Sequence, residues 1–198
     1  MGESIQNRSF RKSLAFGCLI LAGLVFFSGG ASAEEEQERR TATGIKLFRY
    51  ILAADLDLES RVEGGKLLVL VFHPGDQDEA VSVARALAGD PEKPEKVRKI
   101  PLVAEVTSDP TFARYEGRRP AAIFVAGSPR REDLPSIVQY GISHGLIVYS
   151  PFEGHVEQGV LGGLAVGAKV QPYVNYATLQ ASGVELREFF FKAAKVLR

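Results

Sequence analysis

The chain is expected to fold as a single α/β domain: a mainly parallel sheet flanked by helices, with a C-terminal hairpin and a closing helix. Three features of the 198-residue sequence predict this. Between positions 66 and 149, short apolar runs alternate with segments of helical periodicity, the order produced by strands joined through crossover helices. The run 66–72 is apolar at every position after Lys66, as in a strand covered on both faces. Beyond position 160, two strand-like runs flank Gly167-Ala168 and read as a hairpin.

The N-terminus comes first. Arg8, Arg11 and Lys12 give a positive start, 14–27 is an apolar stretch, and Ala31-Ser32-Ala33 is a cleavage site ahead of Glu34. Residues 1–33 therefore read as a cleaved signal peptide, the apolar stretch falling short of the ~20 residues that span a bilayer. Cys18 lies inside this stretch, a poor position for lipid attachment, and Arg11-Lys12 is not a twin-arginine pair. The expected destination is the periplasm, reached by the general secretory route. Cys18 is the sole cysteine, so the mature chain can form no disulfide, thiolate nucleophile or cysteine metal site. Without 1–33 there remain 21 basic against 23 acidic residues, which offers nucleic acid neither a basic surplus nor a basic stripe. Residues 34–40 read as a charged disordered tail, and 41–198 as one domain, too short for two comfortable cores.

The elements follow in order. Ile45, Phe48 and Leu52, joined by Leu47 and Ile51, share one face of a first helix. Gly64-Gly65 breaks the chain before the strand at 66–72. The turn His73-Pro74-Gly75-Asp76 opens a helix with Ala80, Val81, Ala84, Leu87 and Ala88 on one face, Asp76 as its N-cap and Gly89 near its end. Residues 90–99 read as a solvated loop. Strands are expected at 102–106, 121–125 and 145–149, with a short helix from Asp109-Pro110 to Tyr115 and a longer one over 131–142. Strands at 161–166 and 169–174 make the hairpin. Asn175 then caps a helix ending at Gly183, and Leu186, Phe189, Phe190, Ala193, Ala194 and Leu197 form the stripe of the closing helix.

The chemistry-bearing residues are few. The turn at 73–76 sits after a buried strand and before a helix, where open α/β sheets bind ligands, yet it has neither the spaced glycines of a dinucleotide site nor a P-loop. No serine stands on a nucleophile elbow; Ser128 and Ser150 each precede a proline and read as loop residues. His73, His144, His155, Glu153 and Glu157 show no metal-ligand spacing. The loop from Ser150 to Gly159 carries Phe152, Glu153, His155 and Glu157 and is the segment most suited to recognition. No enzyme, cofactor or metal is expected.

The stretch 145–197 resembles the periplasmic YfiR-like family. The matching letters are Glu157-Gln158-Gly159, Leu164-Ala165-Val166-Gly167, Pro172-Tyr173-Val174-Asn175, Gly183-Val184 and Lys192-Ala193-Ala194-Lys195-Val196-Leu197. Upstream, 47–52, 66–72 and 119–125 are similar more loosely. Two departures stand out: the glycine pair found after the loop is Gly159-Val160 here, and the cysteine pairs of some members are absent, which removes any inference about redox sensing. The resemblance implies an exported, non-enzymatic α/β regulator that restrains a membrane-bound diguanylate cyclase by binding its periplasmic part. It also marks Asn175 as a family position, with a capping role.

The expected function is thus an exported regulatory or binding protein, controlling a membrane-bound sensor or cyclase, with room for a small-molecule ligand. The expected surface joins Phe152, Glu153, His155 and Glu157 in the loop 151–158 with His73 and Asp76 at the carboxyl ends of the strands. The alternative is a solute-binding component of a transport system, against which one lobe of about 165 residues argues. A homodimer through Tyr115, Tyr140 or Tyr149 is a further reading, although tyrosines also sit at core edges.

Overall fold

The computed structural model describes residues 30–75 and 77–198, with side chains from 35 onward. Most of the expected signal peptide, and Asp76 with its capping and binding roles, lie outside the described residues. By its internal contacts the chain divides into a segment through Glu38 and a compact unit from Arg39 to Arg198. The second unit holds every strand and both hydrophobic cores.

Helix α1 (Gly30–Ala54) precedes strand β1 (Leu67–Phe72), helix α2 (Gln77–Ala88), three two-residue strands β2 (Gly89–Asp90), β3 (Lys93–Pro94) and β4 (Lys96–Val97), and the long β5 (Ile100–Thr107). Then come β6 (Ala122–Val125), α3 (Asp133–His144), β7 (Ile147–Ser150), β8 (Gly162–Val166), β9 (Val170–Asn175), α4 (Tyr176–Ser182), α5 (Glu188–Ala193) and β10 (Lys195–Leu197). Eight strands form one sheet in the order β10-β9-β8-β7-β6-β1-β5-β4. Strands β5, β1, β6, β7 and β8 are mutually parallel; β4 and β9 run antiparallel to their inner neighbours, and β10 runs parallel to β9. The mainly parallel α/β architecture with its C-terminal hairpin is the one the sequence predicts.

Strand β1 explains the layering. Its side chains alternate between two cores, as the two-residue period of a strand requires. Leu67, Val69 and Val71 pack with Phe48, Leu52, Leu87 and Phe124; Leu68, Leu70 and Phe72 pack with Phe112, Tyr115, Ile123 and Ile137. Helices α1 and α2 thus cover one face and α3 the other. Gly141 lets α3 approach closely: a Cβ there would stand 2.2 Å from a methyl of Val148.

Four local expectations are corrected. Residues 34–40, expected as a charged disordered tail, are helical within α1; Glu, Gln and Arg are all strong helix formers, and charge alone does not decide. On α2 it is Val83, not Val81, that joins the core, Val81 being 46% exposed. Segment 90–99 is folded into short ladders, β2 with β3 and β4 with β5. The closing helix stops at Ala193, and 195–197 form a strand on β9. Phe189 consequently points outward, 46% exposed, while Phe190 is fully buried. Pairing with an open sheet edge overrides helical propensity here. Tyr115 and Tyr149 are core residues at 1% exposure, so they cannot make a dimer face.

Candidate recognition site

The loop after β7 and the hairpin β8–β9 build a cleft together. β8 pairs with β7 only through Gly162 and Gly163, so Leu164, Ala165 and Val166 overrun the end of β7 and carry the hairpin tip past it, by roughly 10 Å at 3.3 Å per residue. Under this overhang Phe152, Glu153, Gly154, Val156 and Glu157 face Tyr173, Lys195 and Arg40 across a volume of about 130 Å³. Val166 and Val170, cross-strand partners at the tip, are both exposed. Three of the four expected loop residues line this cleft.

Its walls carry both charge signs. Lys195 lies over the Tyr173 ring with Nζ 4.5 Å from its centroid. The Tyr173 phenol titrates above its ordinary value, through burial first and then through its hydrogen bond with Glu157. The Arg40 side chain donates to the Pro151 carbonyl and so ties α1 to the start of the loop. Nothing in the sequence singles out Arg40, Tyr173 or Lys195 as site residues. Arg40 lies within α1 and Tyr173 within β9, and only the edge pairing of β10 brings Lys195 to the site.

The loop is held from beneath by Ser150 and His155, the fourth expected residue. Ser150 Oγ lies 2.7 Å from His155 Nδ1 and accepts from the Phe152 amide at 3.2 Å. The hydroxyl and the imidazole share one hydrogen bond, whose direction follows the His155 tautomer. Although Ser–His proximity is the start of a nucleophilic site, Ser150 is fully buried and both its bonds are internal to the loop. The pair acts as a staple. Further bonds close the loop: Gln158 N to Gly154 O, Gly159 N to Val156 O and Val160 N to His155 O.

Burial holds the His155 imidazole below its ordinary value of 6.5. Between the lowered value and 6.5 the opened loop binds a proton that the closed loop does not. Loop closure is therefore fully stable above about pH 6.5 and weakens as pH falls below it. Amide exchange protection at Gln158, Gly159 and Val160 is expected to fall between pH 7.5 and 5, up to about tenfold for each unit of depression, and to stay level in His155→Gln. A pH-independent protection ratio in the native protein would overturn this. The readout is local because buried Asp55, raised chiefly by desolvation, gives global stability the opposite slope in acid.

His73 is placed elsewhere. It follows β1, with β6 between it and the loop, so about two strand spacings, or ~10 Å, separate them. Its ring is buried, accepting at Nδ1 from Gly75 N at 3.1 Å, with Nε2 3.3 Å from Glu79. It fixes the β1–α2 turn and is not joined to the loop by any hydrogen bond, ion pair or ring contact among the described residues. Among those residues no group of His, Cys, Asp and Glu is arranged to hold a metal ion, and no helix is long and apolar enough to cross a membrane.

The fold is thus that of a mainly parallel α/β protein, with a cleft at the carboxyl end of β7. No family model and no curated protein matches the chain. Solved structures share its fold. One is a conserved domain protein from Vibrio cholerae O1 biovar El Tor str. N16961, with TM-score 0.54 and 15% identity, covering 80% of this chain and 60% of that one. Another is an ABC domain in complex with L-Trp from Streptococcus pneumoniae, with TM-score 0.53 and 12% identity, covering 80% and 62%. The chain spans about three fifths of the length of either structure.

Proposed function

We propose that the protein is an exported, non-enzymatic regulator of the YfiR-like kind, which docks through the loop 151–158 and the hairpin tip onto the periplasmic part of a membrane-bound sensor or cyclase. The observation that carries this reading is the shape of the cleft. At about 130 Å³ it is smaller than the ~300–1,000 Å³ usual for small-molecule sites, yet a protruding tip with two exposed valines and a half-buried aromatic, Phe152, border it. An aromatic anchor ringed by Glu153, Glu157 and Lys195 suits a protein partner, whose side chain enters the notch while the tip is covered.

The test is a crosslinking pull-down from the native envelope. The unaltered protein should recover an inner-membrane sensor or cyclase. The double variant Phe152→Ala with Glu153→Ala should lower the yield by about thirtyfold, the size of a lost anchor, with an unchanged thermal midpoint. Undiminished yield from a folded variant would remove the loop from the interface.

The solute-binding alternative draws on the fold shared with the L-Trp complex. This chain has no tryptophan, so emission from L-Trp retained after gel filtration would be read without background. Retention at one per chain would favour transport over regulation.

A further inference from the structure

A second cavity lies at the other end of the sheet. Pro120 precedes β6, Leu146 precedes β7, and Ser60 and Arg61 belong to the turn before β1; together with Arg118, Arg119 and His144 they enclose about 340 Å³ at the amino ends of the parallel strands. No carboxylate lines it. The neighbouring acids are each turned to an arginine: Asp55 lies 3.7 Å from Arg61 Nε, and Glu63 and Glu105 lie 3.8 and 2.9 Å from Arg118. Arg119 has no carboxylate partner among the described residues, so its charge is the one left for a ligand.

Two of the wall groups are held in place. Arg61, mostly buried, donates to the Gly145 carbonyl, which fixes its guanidinium at the cavity wall. The His144 ring stacks on Tyr140 at 4.0 Å and bonds the Tyr140 carbonyl through Nδ1 at 2.9 Å, leaving Nε2 for a ligand. Pro120 and Leu146 are buried and supply an apolar floor. A volume of this size accepts a small organic molecule. Forked guanidinium donors match the oxygens of a phosphate group.

We infer that this cavity binds a small phosphate-bearing molecule, with Arg119 and Arg61 as the phosphate donors and His144 as a third polar contact. The inference stands apart from the partner reading, since the two sites lie at opposite ends of the strands. Amide spectra recorded during titration with inorganic phosphate, at ionic strength held constant with sodium chloride, test it. Saturable shifts at Arg61, Arg119, Gly145 and Leu146 are expected. Affinity should fall about tenfold in Arg119→Gln, where a charge-assisted fork is lost, and stay unchanged in Arg85→Gln on the exposed side of α2. Shifts spread over the basic surface, shifts reproduced by chloride, or an unaltered affinity in Arg119→Gln would overturn the site. Acetate binding as tightly as phosphate would overturn the assignment to phosphate.

Discussion

Replacing Phe48 by alanine is expected to lower the free energy of unfolding by about 3–5 kcal/mol, the range for losing a fully buried aromatic. Phe48 is wholly buried. Its ring meets Phe124 edge-on at 5.3 Å and Tyr149 at 5.6 Å, while Phe124 and Tyr149 stack at 5.7 Å. The three rings bind α1 to the centre of the sheet, between β6 and β7. A domain of this kind has about 5–15 kcal/mol in total, so the variant stands close to unfolding at ambient temperature. Chemical denaturation would show it as a lower midpoint with an unchanged slope. Phe189→Ala is the control: its side chain is nearly half exposed, and truncation there should cost less than about 1 kcal/mol. If Phe48→Ala costs no more than Phe189→Ala, α1 is not an integral layer of the domain, and the tie from Arg40 to the loop has no rigid base.

What the sequence reveals and hides divides along physical lines. Central strands are legible because a strand buried on both faces leaves an uninterrupted apolar run, and 66–72 has that run. The hairpin and the capped helix at 175–183 are legible because Gly167-Ala168, Asn175 and Gly183 are residues whose conformational preferences act locally: Gly183 adopts a left-handed φ of 68°. The end of the chain is not. Leu186, Phe189, Phe190 and Leu197 fit a helical stripe, but the backbone of 195–197 finds hydrogen-bond partners on β9, and the availability of a sheet edge is not written in local periodicity.

The same division governs the site. Phe152, Glu153 and Glu157 can be singled out because a loop holding an aromatic and two acids is visible as composition. Their surroundings cannot. Arg40 stands 112 positions before Phe152, and its place depends on α1 docking beside β7, where a Cβ on Gly44 would stand only 2.7 Å from Pro151. Ser150 reads as an ordinary residue before a proline. Its bond to His155 has a faint signal in retrospect, since a serine whose oxygen accepts from the amide two residues on is a recurrent turn motif. The placement of His73 turns on spacing across the sheet: strand order puts β6 between β1 and β7, and order is a tertiary property. The arginine-lined cavity gathers residues from 60 to 146 that share no motif.

Asn175→Ala is expected to cost about 2–4 kcal/mol, from a lost cap and a carbonyl left unpaired, and to weaken partner recovery although no residue lining the cleft is replaced. Asn175 Oδ1 accepts from Thr178 N at 3.0 Å and caps α4; its Nδ2 donates to Val156 O at 2.9 Å. Thr178 Oγ1 in turn donates to Gly159 O at 2.8 Å. One buried side chain thus binds the helix start to the far limb of the loop, whose near limb is held by Ser150 and His155. Aspartate would keep the cap but could not donate to Val156, and its carboxylate would face a carbonyl oxygen. Asn175→Asp should therefore retain helix α4 while losing protection at Gln158 and Gly159, which separates the two functions of the side chain. If both variants leave loop exchange and pull-down yield at native levels, Asn175 serves the helix alone, and the loop owes its shape to the Ser150–His155 staple. If both fall together, the asparagine that marks this stretch of sequence acts by shaping a surface it does not itself reach.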